Sequence, residues 1–463
     1  MPDGDPRAPR RPVTSDEAKR RALANENRLI ALGEAVDRRA GVSRRQRGHL
    51  DPRRRRRRIV GITGLSVLGL ILAIGVGGYL YAQYRFSKIP KIHVIGINYP
   101  QPNEPFNILS IGSDSRVGLS GQVAKQTGAT SGSVSGQRSD VVKVIHVDPI
   151  AGTVTILSIP RDTVVTLLAN QNLYGRFNRI NVNYGNGPSL LTQTITANFG
   201  IPVGHVIQVG FAGLINAADA IHGVYLDFPY KSRDPSSGLN IRHPGCQLVS
   251  GFQALAVARS RHFYYSPHAT AWPTNYLSLS YNQLAATGWY YDPTSDYGRI
   301  DRQNAFLRAM LSRVKGDLGN PVALNAFLAN IPAGVTLDST WTLNELIGLA
   351  LKFHSFNPAA IKTYTLPTSP GVMNGADVLF VQQPAAQQLL VNIFGTSLMT
   401  PTNPPPNAQL ATPLPPHTVA TTTTSVRTTT TLKGTKKHTP PTTTTTNPTI
   451  KVPTYDPVPC APR

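Results

Sequence analysis

Cysteine is nearly absent from this 463-residue chain: Cys246 and Cys460 are its only two. Two cysteines exclude a disulfide framework, and no Cys-x-x-Cys or Cys/His spacing suggests zinc. One bridge between them is possible in an oxidising compartment, but the sequence alone does not establish it. No G-x-x-x-x-G-K-[ST] loop and no G-x-G-x-x-G turn occurs, so a nucleotide is not the favoured ligand. Acidic residues are scarce, 24 Asp and Glu against 46 Lys and Arg, for a net charge of +22. Long hydrophobic runs are scarce as well, and a single uncharged stretch is long enough to cross a bilayer.

What is present is unevenly placed. Residues 1–58 hold 18 Lys/Arg and 8 Asp/Glu and close on Arg53 to Arg58, six arginines in a row. They read as a basic cytoplasmic segment, largely disordered, with helix-forming residues frequent between Ser15 and Arg39. Residues 59–82, IVGITGLSVLGLILAIGVGGYLYA, carry no charge. As a helix they span about 36 Å, enough for a hydrocarbon core of about 30 Å. Tyr79, Tyr81, Tyr84 and Phe86 stand at the far end as an interfacial belt would, and the arginines set the near end in the cytoplasm. The expectation is an uncleaved, single-pass membrane anchor with everything beyond it outside the cell. A cleaved signal peptide would sit nearer the N-terminus and end in small residues. Beside such a span the arginine run reads as a topology signal and anionic-lipid contact, so no specific nucleic-acid partner is expected.

Residues 83–105 form a linker containing Pro90, Pro100, Pro102 and Pro105. From 106 to 395 the composition is globular. Strand-like runs (FNILSIGS, VVKVIHVD, TVTILSIP, HVIQVGF, GVYLDFP) alternate with helical patterns (SLLTQTITANF, AGLINAADAI, GFQALAVARSR). That alternation predicts an α/β or α+β fold with a central mixed sheet flanked by helices. Residues 396–463 turn into Thr/Pro runs that cannot bury a core, and read as a disordered tail.

Charge in the globular part gathers at the ends of apolar elements. NILSIGSDSR places Asp114 and Arg116 after a strand, and GQRSDVVKVIHVD places Arg138 and Asp140 before one. SIPRD sets Arg161 and Asp162 behind Pro160 at a strand end. ALAVARSRHF closes a helix with Arg259 and Arg261, and DYGRIDRQNAF opens the next with Asp296, Arg299, Arg302 and Gln303. Singly, each is an ordinary solvated end or a complement to a helix dipole. Together they point to one polyanion, because arginine dominates over lysine and its planar fork suits phosphate oxygens. Asp114 and Asp140 among these arginines suit Mg²⁺ or Mn²⁺, which take one or two carboxylates plus substrate phosphates. The implied ligand is a pyrophosphate with a divalent cation.

GSDSR, RSDVVKVIHVDP, TVTILSIPRDT, GFQALAVARSRH and DYGRIDRQNAFLRAML, in this order, resemble the LytR-CpsA-Psr family. The resemblance spans roughly 106 to 395. It implies a phosphotransferase of cell-wall assembly, moving a glycopolymer from a polyprenyl-pyrophosphate carrier to a peptidoglycan hydroxyl. It places metal-binding carboxylates at Asp114 and Asp140. Pyrophosphate-gripping arginines fall at Arg138, Arg161, Arg259 and Arg261, and the Arg-xxx-Gln pair at Arg299 and Gln303. Arg161, Asp162 and Arg299 then form the catalytic set, with Asp296 as a frequent family acid. The basic head and Thr/Pro tail are similar to actinobacterial members, which implies arabinogalactan or a related polymer as donor. Two alternatives remain: a pyrophosphatase that uses the same residues with water as acceptor, and a non-enzymatic envelope regulator or scaffold whose basic head binds nucleic acid inside the cell. The apolar segments SLLTQTITANF and FAGLINAADAI serve either as walls for the polyprenyl chain or as core helices. The Tyr- and Trp-rich stretch between Arg261 and Asp296 is longer than the family spacer. It reads either as a lid that stacks on sugar rings or as a self-packed insertion.

Overall fold

A computed structural model of the chain describes residues 15–45, 52–101, 103–115, 119, 123–124, 127, 139–317, 325, 329, 334–353, 356–406 and 455–461. The chain divides into two units, one through Leu80 and one from Tyr81.

In the first unit, α1 (Ser15–Arg45) occupies much of the segment expected to be largely disordered. Its Ala, Leu and Glu content favours helix, and Asp16 and Glu17 in the first turn complement the dipole. Glu17 and Arg21 add an i,i+4 pair at 3.5 Å. Helix α2 (Pro52–Ser87) follows. Its part Ile59–Ser87 is long and apolar enough to cross a membrane, with a mean hydropathy of 2.5. Leu65, Leu72 and Leu80 are all exposed, as side chains facing lipid would be.

The second unit is built on a seven-stranded mixed sheet. Its strands are β1 (Lys91–Ile92), β2 (Phe106–Ser113), β3 (Ser139–Asp148), β4 (Thr153–Ile159), β7 (His205–Val209), β14 (Val335–Asp338) and β15 (Lys362–Thr365), in the order β1-β14-β7-β2-β3-β4-β15. Two hairpins attach to it, β5 (Val164–Thr166) with β6 (Phe177–Arg179) and β16 (Thr368–Met373) with β17 (Ala376–Val381). Period-two alternation sorts the central strands into two faces. Leu109, Ile111, Val142, Val144, Leu157 and Ile159 pack on Leu191, Ile195 and Phe199 of α3 (Pro188–Phe199). A Leu→Ala change among these costs roughly 2–5 kcal/mol.

The opposite face is polar at its centre. Ser110, Lys143 and Ser158 lie directly across β2, β3 and β4 from one another. Three helices cover that region: α4 (Phe211–Ala220), α5 (Gly251–Arg259) and α7 (Asp296–Asp317). They share a second core with β8 (Val224–Phe228), through Ala218, Leu226, Phe228, Ala254, Val257 and Phe306. The chain between α5 and α7 forms β12 (Tyr264–Ser266), α6 (Tyr281–Ala286) and β13 (Tyr290–Tyr291). Strands β12 and β13 join β9 (Lys231–Asp234) and β10 (Leu239–Ile241) in a sheet ordered β10-β9-β12-β13.

The C-terminal segment departs from the expected disordered tail. Residues 455–461 return to the domain, where β18 (Val458–Pro459) pairs with β8 opposite β11 (Gly245–Val249). Cys460 is bonded to Cys246 of β11. Asp456 receives Nη1 of Arg302 at 2.6 Å, and Asp292 takes the same nitrogen at 2.9 Å, in a fully buried cluster. A guanidinium at that depth is tolerable only with carboxylates beside it. Residues 396–406 also pack, with Pro404 accepting a hydrogen bond from Thr166 at 2.8 Å.

Candidate functional site

A cavity of about 390 Å³ lies between the polar strip of the central sheet and helices α4, α5 and α7. Its lining combines Asp140, Arg161, Arg259, Arg261, Arg299 and Gln303 with the apolar side chains of Phe211, Leu214, Leu255, Phe306, Leu307 and Met310.

The placement of Asp140 follows from strand register. Gly112 faces Val141 and Ser113 faces Ser139, so Asp140 is the extra residue of a β-bulge. A bulge breaks the alternation and re-aims one side chain. Gly112 permits it, since a Cβ there would meet Val141 Cβ at 2.7 Å. The same register brings Asp114, the residue after β2, to this end of the sheet.

Arg161 follows Pro160 at the end of β4, adjacent to the start of β3. Its Nη1 donates to Asp140 Oδ1 at 2.6 Å and its Nε to Asp162 Oδ2 at 3.3 Å. Asp162 does not line the cavity; it stands between Arg161 and Arg179, the latter at 3.6 Å. Arg259 closes α5 and lies over the Phe211 ring at 4.8 Å. Arg261, two residues on, reaches Asp296 at 3.2 Å and Asp140 at 4.0 Å. Arg299 is buried on α7, paired with Asp296 at 2.8 Å, and donates to the Asp140 backbone oxygen at 3.0 Å. Gln303, one turn later on the same face, donates to Ala258 O at 2.8 Å and ties α7 to the end of α5. Asp296 thus orients two arginines at once. Arg116 and Arg138 lie outside the described residues.

The electrostatics favour an anion. Burial alone would raise the Asp140 carboxyl, but Arg161, Arg299 and Arg261 hold it below the usual range. Burial pulls Arg299 down to about 10, against the pull of Asp296, so it stays charged at neutral pH. Arg261 Nη2 and Arg299 Nε are buried without a hydrogen-bond partner among the described residues. Buried guanidinium groups with open donors are costly unless an anion meets them.

Of the two carboxylates expected to hold a divalent cation, Asp140 lines the cavity and Asp114 does not. The described residues hold no cluster of three His, Cys, Asp or Glu that would cage a metal. Two carboxylates at neighbouring strand ends suit a cation that completes its shell with phosphate oxygens.

Lys143 was not singled out from the sequence. Its Nζ borders the cavity floor and donates to Ser158 Oγ at 2.8 Å and Asn304 Oδ1 at 2.6 Å. Burial pulls this amine down to about 7, opposed by Asp301 and reinforced by Arg299 and Arg308. The one signal available was a lysine inside an otherwise apolar strand. Arg302, read with the site motif, instead turns away into the cluster with Asp292 and Asp456. Of the two candidate lipid walls, α4 contributes Phe211 and Leu214, whereas α3 packs in the main core on the other sheet face.

The LytR_cpsA_psr family model matches residues 82–266 and 287–393, more than half of the chain. The chain is 29% identical over 344 residues to the "Probable cell wall biosynthesis protein LcpB" of Corynebacterium glutamicum, covering 73% of this chain and 69% of that protein. It is 24% identical over 317 residues to the "Polyisoprenyl-teichoic acid--peptidoglycan teichoic acid transferase TagU" of Bacillus subtilis, covering 63% of this chain and 83% of that protein. Among solved structures, the LytR-Csp2A-Psr enzyme from Actinomyces oris aligns with a TM-score of 0.50 at 22% identity, covering 69% of this chain and 99% of that one. At that identity the likeness is one of fold.

Proposed function

The chain belongs to the LytR_cpsA_psr family, and from that membership and the cavity's mixed lining of arginines and apolar side chains we propose that it is a cell-wall phosphotransferase. It moves a glycopolymer from a polyprenyl-pyrophosphate carrier to a hydroxyl of peptidoglycan, leaving a phosphodiester. The observation that carries this reading is the cavity itself. Arginines with open buried donors and a set of large apolar side chains line the same cavity, which suits a ligand that is pyrophosphate at its head and hydrocarbon in its tail. The names of the relatives, a cell wall biosynthesis protein and a teichoic acid transferase, support the same class of reaction.

In this reading Arg161, Arg259, Arg261 and Arg299 grip the pyrophosphate, and Asp296 and Asp162 hold the forks in place. The acceptor hydroxyl oxygen attacks the phosphorus that bears the glycan. Its bond to the polyprenyl phosphate oxygen breaks, the hydroxyl proton is released, and the arginines stabilise the charge that grows on the departing phosphate. Asp114 and Asp140 would hold Mg²⁺ or Mn²⁺, which neutralises further phosphate charge when bound. Gln303 keeps the ends of α5 and α7 together so that Arg259 and Arg299 face one ligand. The basic flank of α2 sets residues 1–58 in the cytoplasm and the catalytic domain outside.

The test uses the full chain in detergent with Mg²⁺, a polyprenyl-pyrophosphate oligosaccharide and a peptidoglycan fragment, with mass spectrometry reading the phosphodiester-linked product. Wild type is expected to form it, and Arg161→Ala and Asp140→Ala to lose roughly 100-fold or more in rate. Carrier cleavage without glycan transfer would make the protein a pyrophosphatase. Undiminished transfer by Arg161→Ala would overturn the assignment of the site.

A further inference from the structure

The family match passes over residues 267–286, and the structure shows what this chain builds there. Trp272, from that stretch, and Trp289 lie at 4.7 Å from each other. With Lys231, Arg233, Arg242 and His243 they line a second cavity of about 400 Å³. No carboxylate lines it, and among the described residues none of its four basic side chains has one within 4.0 Å. Two of the four lie against indole rings instead. The Arg233 guanidinium lies 5.0 Å from the Trp272 ring, and the Lys231 ammonium 5.8 Å from that of Trp289. Such contacts orient a cation without cancelling its charge. Lys231 is held further by its hydrogen bond to Thr270 O at 3.0 Å.

This cavity is joined to the catalytic one in two ways. Strand β9 separates them: Lys231 and Arg233 face the second cavity, and Asp234 borders the first. A run of aromatic rings also connects them. Trp272 meets Tyr264 at 5.3 Å, Tyr264 meets Tyr291 at 5.2 Å, and Tyr291 stacks on His262 at 6.2 Å. His262 lines the catalytic cavity. Aromatic faces are the protein surface on which sugar rings stack, and uncompensated cations are what an anionic substituent requires.

We propose that this second cavity is a binding subsite for an anionic glycan strand, whose carboxylates or phosphates rest on Arg233, Arg242, His243 and Lys231 while its sugars follow the aromatic run toward the catalytic cavity. The choice of saccharide rests on the phosphotransferase reading; the site itself rests on the cations and rings.

The test is equilibrium binding to the full chain in detergent, which needs no turnover. The probes are a soluble peptidoglycan strand bearing free carboxylates, a phosphodiester-linked glycan, and a neutral N-acetylglucosamine oligomer. One anionic probe is expected to bind more tightly than the neutral one, and to weaken as salt rises. Arg242→Gln, at an exposed position, and the double variant Arg233→Gln/Arg242→Gln are each expected to weaken it by about tenfold or more, with the urea midpoint of the chain unchanged. Which anionic probe binds assigns the subsite to acceptor or donor polymer, and either supports it. Equal affinity for neutral and anionic probes, unchanged affinity in the double variant, or a loss confined to anionic lipid vesicles would overturn it. Normal glycan transfer by wild type alongside unchanged binding in the double variant would defeat the subsite alone. Weakened binding in that variant, with no transfer by wild type, would defeat the phosphotransferase reading alone.

Discussion

Breaking the Cys246–Cys460 bond tests how much the returning C-terminal segment contributes. The bond closes a loop with a sequence separation of 214 residues. By chain entropy, a cross-link over that length restricts the unfolded chain by about 5 kcal/mol, and native bridges in extracytoplasmic domains give roughly 2–5 kcal/mol in practice. Against a total stability of about 5–15 kcal/mol, that is a large share. Cys246→Ser/Cys460→Ser is therefore expected to lower the urea midpoint of the full chain by about 1 M or more. Trp289 and Trp341, both buried, report the transition by fluorescence. Adding reductant to wild type should reproduce the shift, and adding it to the double variant should do nothing. Unfolding curves of wild type that coincide with and without reductant would refute the reasoning, because the segment would then add nothing the bond enforces.

Two further outcomes follow from the site. Asp296→Asn removes the charge that orients both Arg261 and Arg299, so kcat/KM for transfer should fall by about 10- to 100-fold while the urea midpoint moves little; unchanged kinetics would show that the arginines hold themselves. Lys143→Met should change how stability responds to alkali. The unfolded amine titrates near 10.5 and the folded one at about 7. Between those values the unfolded chain holds the extra proton, so wild-type stability rises with pH by about 1.4 kcal/mol per unit from this group. The variant lacks that increment, and parallel stability–pH curves for the two proteins would contradict it.

Much of the sheet was legible because its strands are apolar runs cut off by turn residues and charge. FNILSIGS and TVTILSI are strands with the boundaries their composition suggests, and Arg161, just beyond the second, lines the cavity. What local reading could not supply was direction. Asp162 and Arg302 sit in the same motifs as Arg161 and Arg299, yet one braces a neighbour and the other turns to Asp456, 154 positions away. Lys143 reads as an interruption in a strand until Ser158 and Asn304, from two other elements, meet its amine. The last residues are dominated by the Thr/Pro stretch before them, and a two-residue strand leaves no periodicity to find. Helix α1 was outweighed by the arginine content around it.

The bulge at Asp140 gives that residue a place that no other position of the sheet shares. Strand β3 is one residue longer there than its partner needs, and that residue is the carboxylate at the head of the cavity. Deleting it would let the ladder between β2 and β3 run unbroken, with the side chains before it returned to phase. The most regular element of the fold thus departs from regularity at the residue proposed to carry the site's carboxylate. On the proposed reading, a change that straightened this strand would remove a carboxylate from the cavity and lower transfer, whatever it did to folding.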